Sequence, residues 1–136
     1  MSSRWNEAVR VQIESLDRQH EHLFQLISDL EEAGRKGFGQ AVGKMAEFIP
    51  QVEEHFTTEE RLFARFSYPQ AAFHQTHHDN FLKTLDAFQS RTKSKDLLLS
   101  SEITLFLSDW LLNHILTIDS KYSLFLVNAG VNEALI

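Results

Sequence analysis

Seven histidines and no cysteine in a chain of 136 residues narrow the chemistry at once. Disulfides, thiolate metal sites and cysteine nucleophiles are excluded, and imidazole and carboxylate remain. Their spacing is informative. His55 and Glu59 are four apart and share a helix face with Val52, Leu62 and Phe66. His74 and His78 are also four apart and lead into Phe81, Leu85 and Phe88. His20 heads the stripe Leu23, Phe24, Ile27, and His114 lies four residues after Trp110 and four before Ile118. Polar groups turned toward an apolar interior are costly unless something satisfies them together, and a metal ion does so. Imidazole and carboxylate without thiolate suit iron, copper, nickel, manganese or zinc, and carboxylates able to bridge favour a pair of ions. Glu59 and Asp119 are available for that. Asp119 follows His114 by five residues, about 140° around an α-helix, which directs it away from that imidazole and toward a second ion.

The remaining chemistry-bearing residues read as surface or packing. His22 and His77 are rotated off the ligand faces, and Glu53, Glu54 and Glu60 belong to a solvated face. Trp110 and Phe56 adjoin ligand positions, although core packing is the ordinary use of such residues.

The elements that must position these groups follow from periodicity. Glycine and proline are scarce, at 5 and 2, and divide the chain into four amphipathic segments. Helices are expected over about 17–33, 40–66, 70–89 and 97–127, behind an N-terminal arm over 1–16, in a single domain spanning 1–136. Gly34, Gly37 and Gly39 are expected to separate the first two helices, and Gln89–Asp96 reads as a surface loop. Pro50 lies inside the second segment, where a kink or a restart is expected. No run alternates in the manner of a strand. The fold class is therefore all-α, an antiparallel up-down-up-down four-helix bundle.

Hydrophobic residues at 43%, charged residues at 24% and 11 Phe suit a packed globular core. A formal net charge of -6 argues against nucleic acid as a partner. The polar N-terminus lacks a secretory signal, so the expected location is cytoplasmic. The apolar Leu97–Val127 stretch is interrupted by Glu102, Asp109, His114, Asp119 and Lys121, which argues against a membrane span. The tail from Asn128 to Ile136 carries no functional signal.

Taken together, Asp17-Arg-Gln-His20, His55-Phe-Thr-Thr-Glu59-Glu60, Tyr68-Pro69 followed by His74-xxx-His78-xx-Phe81, and Trp110-Leu-Leu-Asn-His114-xxxx-Asp119 resemble the four ligand motifs of the hemerythrins. They occur in order on successive helices, and the likeness begins at Trp5. The resemblance implies reversible O2 binding at two iron ions, cycling between Fe2+ and Fe3+, with a bridging oxo or hydroxo group. It assigns His74, His78 and His114 to one iron and His20 and His55 to the other. Glu59 and Asp119 bridge them, and the iron with two imidazoles keeps an open position for O2. By spacing, Phe24, Phe56, Trp110 and Ile118 are candidates to wall that position. Two other functions compete with storage or delivery of O2. One is a di-iron enzyme acting on peroxide or nitric oxide, against which stands the lack of any Glu-x-x-His motif. The other is a module that senses O2 or iron by docking to a partner.

Overall fold

The computed structural model describes residues 5–93 and 101–136. Four helical spans form the bundle: α1 (Glu14–Lys36), α2 (Phe38–Phe66), α3 (Ala71–Lys93), and a fourth built from α4 (Ser101–His114), a π-helical turn (Ile115–Asp119) and α5 (Ser120–Asn128). No strand occurs among the described residues, so the fold is the expected all-α bundle. No helix among them is long and apolar enough to cross a membrane.

Each helix is held by its apolar stripe. On α1, Leu16, Leu23, Phe24, Ile27 and Leu30 are buried at helical spacing and face α2 and the fourth span. α2 contributes Met45, Phe48, Val52, Phe56 and Phe63 to the same core. Aromatic contacts join α3 to α4, with Phe81 stacked on Trp110 at 3.8 Å and Phe88 edge-on to Phe106 at 5.5 Å. Burial of these stripes, about 25 cal/mol per Å² of apolar surface, is what makes four marginal helices one structure.

Several boundaries differ from the sequence reading. α1 starts at Glu14, and Gly34 and Gly39 lie within α1 and α2, leaving Gly37 as the one residue between them. Its φ of 152° belongs to a region that side-chain-bearing residues avoid, so only this glycine makes the turn. Pro50 neither ends nor restarts α2. Its ring is exposed, as is Ala46, whose carbonyl loses a partner and can be hydrated instead. The helix ends where Ser67 turns left-handed and Tyr68 N–H bonds the Phe63 carbonyl at 2.9 Å. Gln89 to Lys93 continue α3 instead of forming a loop, because Gln, Arg and Lys are good helix formers and no glycine or proline interrupts them. The rest of that expected loop, the start of the fourth helix at Leu97, and the first four residues of the arm lie outside the described residues.

The arm is packed rather than trailing. Val9, Val11 and Ile13 are buried around a short 3-10 turn at Glu7–Val9. Asp17 of α1 holds the arm, accepting from Val11 N–H at 2.7 Å and from Arg10 Nε at 3.4 Å.

Candidate metal centre

The helical phases deliver seven donor side chains to one place: His20 from α1, His55 and Glu59 from α2, His74 and His78 from α3, and His114 and Asp119 from the fourth span. All are buried, with Glu59, His20, His78 and Asp119 at 0% exposure. Their donor atoms fall into two overlapping groups: Glu59, His74, His78, His114 and Asp119, and His20, His55, Glu59 and Asp119. The two carboxylates belong to both.

The Nε2 atoms converge on carboxylate oxygens. His114, His74 and His20 lie 2.9, 3.0 and 3.1 Å from Asp119, and His78 and His55 lie 3.1 and 3.4 Å from Glu59. Ions with bonds of about 2.0–2.2 Å to nitrogen and oxygen hold neighbouring ligand atoms roughly 3 Å apart. The Nε2 atoms of His20, His74, His78 and His114, both oxygens of Asp119 and Oε1 of Glu59 are buried without a hydrogen-bond partner among the described residues. A cation pair would satisfy these atoms, and the donor set fits it.

The contact of Asp119 with His114 corrects the sequence geometry. The expected 140° separation assumed an unbroken α-helix, whereas Ile115–Asp119 is π-helical. A π turn closes its hydrogen bond one residue later, so five residues make roughly one turn and Asp119 stacks over His114. From there it also meets His20 and His74, on opposite sides of the centre.

Electrostatics follow from this crowding. Burial opposes charge on His20 and His74, but Asp119 and Glu59 outweigh it and raise both to about 9. Burial prevails at His55 and lowers it to about 3. Glu59 and Asp119 resist burial because imidazoles surround them, and both sit below their ordinary carboxylate values. The pair stays anionic, and protons on His20 and His74 supply the positive charge that cations would otherwise bring.

Three polar residues that the sequence reading did not place at the centre shape it. Gln19 Oε1 lies 2.6 Å from His55 Nδ1, while Gln19 Nε2 lies 3.4 Å from Thr58 Oγ1. The Thr58 hydroxyl donates to the Glu54 carbonyl at 3.0 Å, so it accepts from the amide. That fixes the amide orientation, makes His55 Nδ1 the donor, and leaves the Nε2 lone pair facing inward. Glu60, expected on the solvated face, lies 2.8 Å from His78 Nδ1 and sets that ring in the same way. Tyr122 donates its hydroxyl to Glu59 Oε2 at 2.5 Å. Burial first, then the charges of Glu59 and Asp119, raise its pKa well above 10, so it remains a donor.

The matching family profile is the hemerythrin HHE cation binding domain, over residues 11–124. The chain belongs to the hemerythrin family. Myohemerythrin from Theromyzon tessulatum is 30% identical over 119 residues, covering 88% of this chain and 89% of that protein. Bacteriohemerythrin from Stenotrophomonas maltophilia is 29% identical over 120 residues, covering 88% and 78%. A crystal structure of wild-type hemerythrin shares the fold with a TM-score of 0.85 and 25% identity, over 93% of this chain and 97% of that one.

The four residues expected to wall the open position do not all lie together on the two-imidazole side. Phe24 and Phe56 are buried. Phe56 stacks on His78 at 3.7 Å and stands 6.0 Å from His55, so it touches both groups. Trp110 stacks on His114 at 4.5 Å, which places it against the three-imidazole group rather than the two-imidazole group expected. Ile118 is half-buried, and Ile115, four residues after buried Leu111, takes the interior position at 1% exposure. His22 is exposed. His77 is not the solvated residue expected: it is half-buried, with its ring 6.1 Å from His114.

Proposed function

We propose that this hemerythrin-family chain binds O2 reversibly at a non-haem di-iron centre and serves O2 storage, delivery or sensing as a binding protein, not an enzyme. The observation that carries the reading is the pair of overlapping buried donor groups, three imidazoles on one side and two on the other, joined by Glu59 and Asp119. In this assignment His74, His78 and His114 would hold one iron and His20 and His55 the other, with Glu59 and Asp119 available to both. Two ferrous ions held there would supply the redox chemistry for reversible O2 binding.

The chain's own residues do the rest. The two-imidazole side has one protein donor fewer, which leaves room for a small diatomic ligand. Phe56 and Ile115, both buried, keep water from the centre. Tyr122 keeps its proton on the hydroxyl that holds Glu59. Gln19 and Glu60 hold His55 and His78 as inward-facing bases.

The test is an absorption spectrum of the iron-loaded chain in air and after deoxygenation, alongside metal analysis. A visible charge-transfer band that disappears and returns, with two irons per chain, supports the reading. One zinc per chain without iron, or steady turnover of peroxide or nitric oxide, would replace it.

A further inference from the structure

Outside the centre, the structure contains a cleft of about 550 Å³ whose lining mixes charge and apolar surface. Arg61 and Arg65 stand one turn apart along α2, exposed, and neither has an ion-pair partner among the described residues. Beside them lie Leu62 and the tail residues Leu135 and Ile136. The tail is held in place: Ser15, in the first turn of α1, donates its backbone N–H to Glu133 at 3.1 Å and its hydroxyl to the same carboxylate. Glu133 opens the short 3-10 turn Glu133–Leu135, so this clamp sets the roof of the cleft. Glu54 lies at the other end, seven residues or about 10 Å back along α2 from Arg61. The cleft is therefore polarised along α2, with Arg61 and Arg65 toward one end and Glu54 toward the other, and Leu62, Leu135 and Ile136 add apolar lining.

Gln19 and Thr58 form part of the same wall. Gln19 also borders a smaller recess of about 110 Å³ that reaches His55. The one amide that contacts the cleft is thus the amide that holds His55 Nδ1.

We propose that this cleft binds a small organic carboxylate with an apolar body, its carboxylate on Arg61 and Arg65 and its body under Leu135 and Ile136, and that occupancy reaches His55 through Gln19. Guanidinium groups suit planar carboxylates, and the volume falls within the range of small-molecule sites. An occupant that presses on Gln19 shifts the hydrogen bond at His55 Nδ1, and with it the donor strength of Nε2. This assignment stands apart from the O2 reading, because it concerns surface residues and can be tested without O2.

The experiment titrates the iron-loaded protein with hexanoate, 1-hexanol and inorganic phosphate by calorimetry and thermal melting. Hexanoate is expected to bind saturably and raise Tm, with hexanol and phosphate at least about tenfold weaker, and Arg61→Gln/Arg65→Gln is expected to weaken hexanoate about tenfold or more. In zinc-loaded protein, which is diamagnetic, hexanoate should move the His55 ring nitrogen resonances in wild type and leave them still in Gln19→Leu. Equal binding of hexanol or phosphate, or unchanged affinity in the double variant, would overturn the site. A saturated cleft with static His55 resonances would overturn the coupling.

Discussion

At the scale of single residues, the centre depends on groups that never touch a cation as much as on those that would. Tyr122 illustrates this. Its hydroxyl donates a hydrogen bond to Glu59 Oε2, which no imidazole approaches within hydrogen-bond distance among the described residues. Tyr122→Phe should cost the metal-free chain about 1–3 kcal/mol, read as a lower urea midpoint, because a buried carboxylate loses a charge-assisted bond. Gln19→Leu should lower iron affinity about 10–100-fold at unchanged helix content, since His55 loses the partner that fixes its tautomer. His22→Ala, at an exposed position, serves as the control and should leave iron content unchanged. The seven inward donors were legible in the sequence because each interrupts an apolar stripe, where a titratable group needs a reason. Gln19, Glu60 and Tyr122 were not. Gln19 and Glu60 are long polar side chains that reach across to the neighbouring helix, and periodicity does not register reach. Tyr122 sits where an aromatic core residue belongs, and only its position three residues after Asp119 hints at more.

The helices themselves were legible in number and order, but not in local winding. Their faces follow from period-3.6 burial, which survives errors of several residues at the ends. A π turn leaves no such trace, since Ile115-Leu-Thr-Ile-Asp119 reads as ordinary helix. Its importance can be isolated. Inserting an alanine after exposed Leu116 should put Asp119 six residues from His114, where neither α nor π winding keeps it over that ring. Iron per chain is then expected to fall below two while the far-ultraviolet circular dichroism stays helical. Retention of two irons would mean that the turn is incidental to the centre. Gly37 was one of three glycines expected to part α1 from α2, and sequence could not show that one sufficed. With φ at 152°, Gly37→Ala should destabilise by about 1–3 kcal/mol in denaturant unfolding, whereas Gly39→Ala, within α2, should be neutral or stabilising.

For the molecule as a whole, the balance of charge in the core links stability to pH. His20 and His74 are raised to about 9, so their contribution to the metal-free fold is complete below the unfolded value of about 6.5 and is lost as pH rises through 9. His55, lowered to about 3, acts in the opposite sense: its contribution is present above about 6.5 and declines as pH falls toward 3. Glu59 and Asp119, both depressed, add a further loss in acid. The metal-free chain should therefore be most stable near pH 6.5, as urea midpoints across pH 4–9.5 would show. Iron binding must displace the protons on His20 and His74, so loading near neutral pH should release one from each, measurable by calorimetry in buffers of different ionisation heat. The alkaline decline should vanish in the loaded protein, whose melting temperature should also exceed that of the metal-free form.

The sharing of Asp119 between the two donor groups has a consequence for biosynthesis. A chain leaving the ribosome presents His20, His55 and Glu59 first, on two helices joined by the single residue Gly37, and these can meet while the remainder is still being made. His74 and His78 follow on α3. Neither donor group is complete at that stage, because each lacks the carboxylate supplied by the π turn. Both are finished by one event, the docking of Ser101–Asn128 against α1. The nascent protein thus holds no complete site until its last long helix has been translated and packed, and metal capture becomes a terminal step of folding rather than an early nucleus for it.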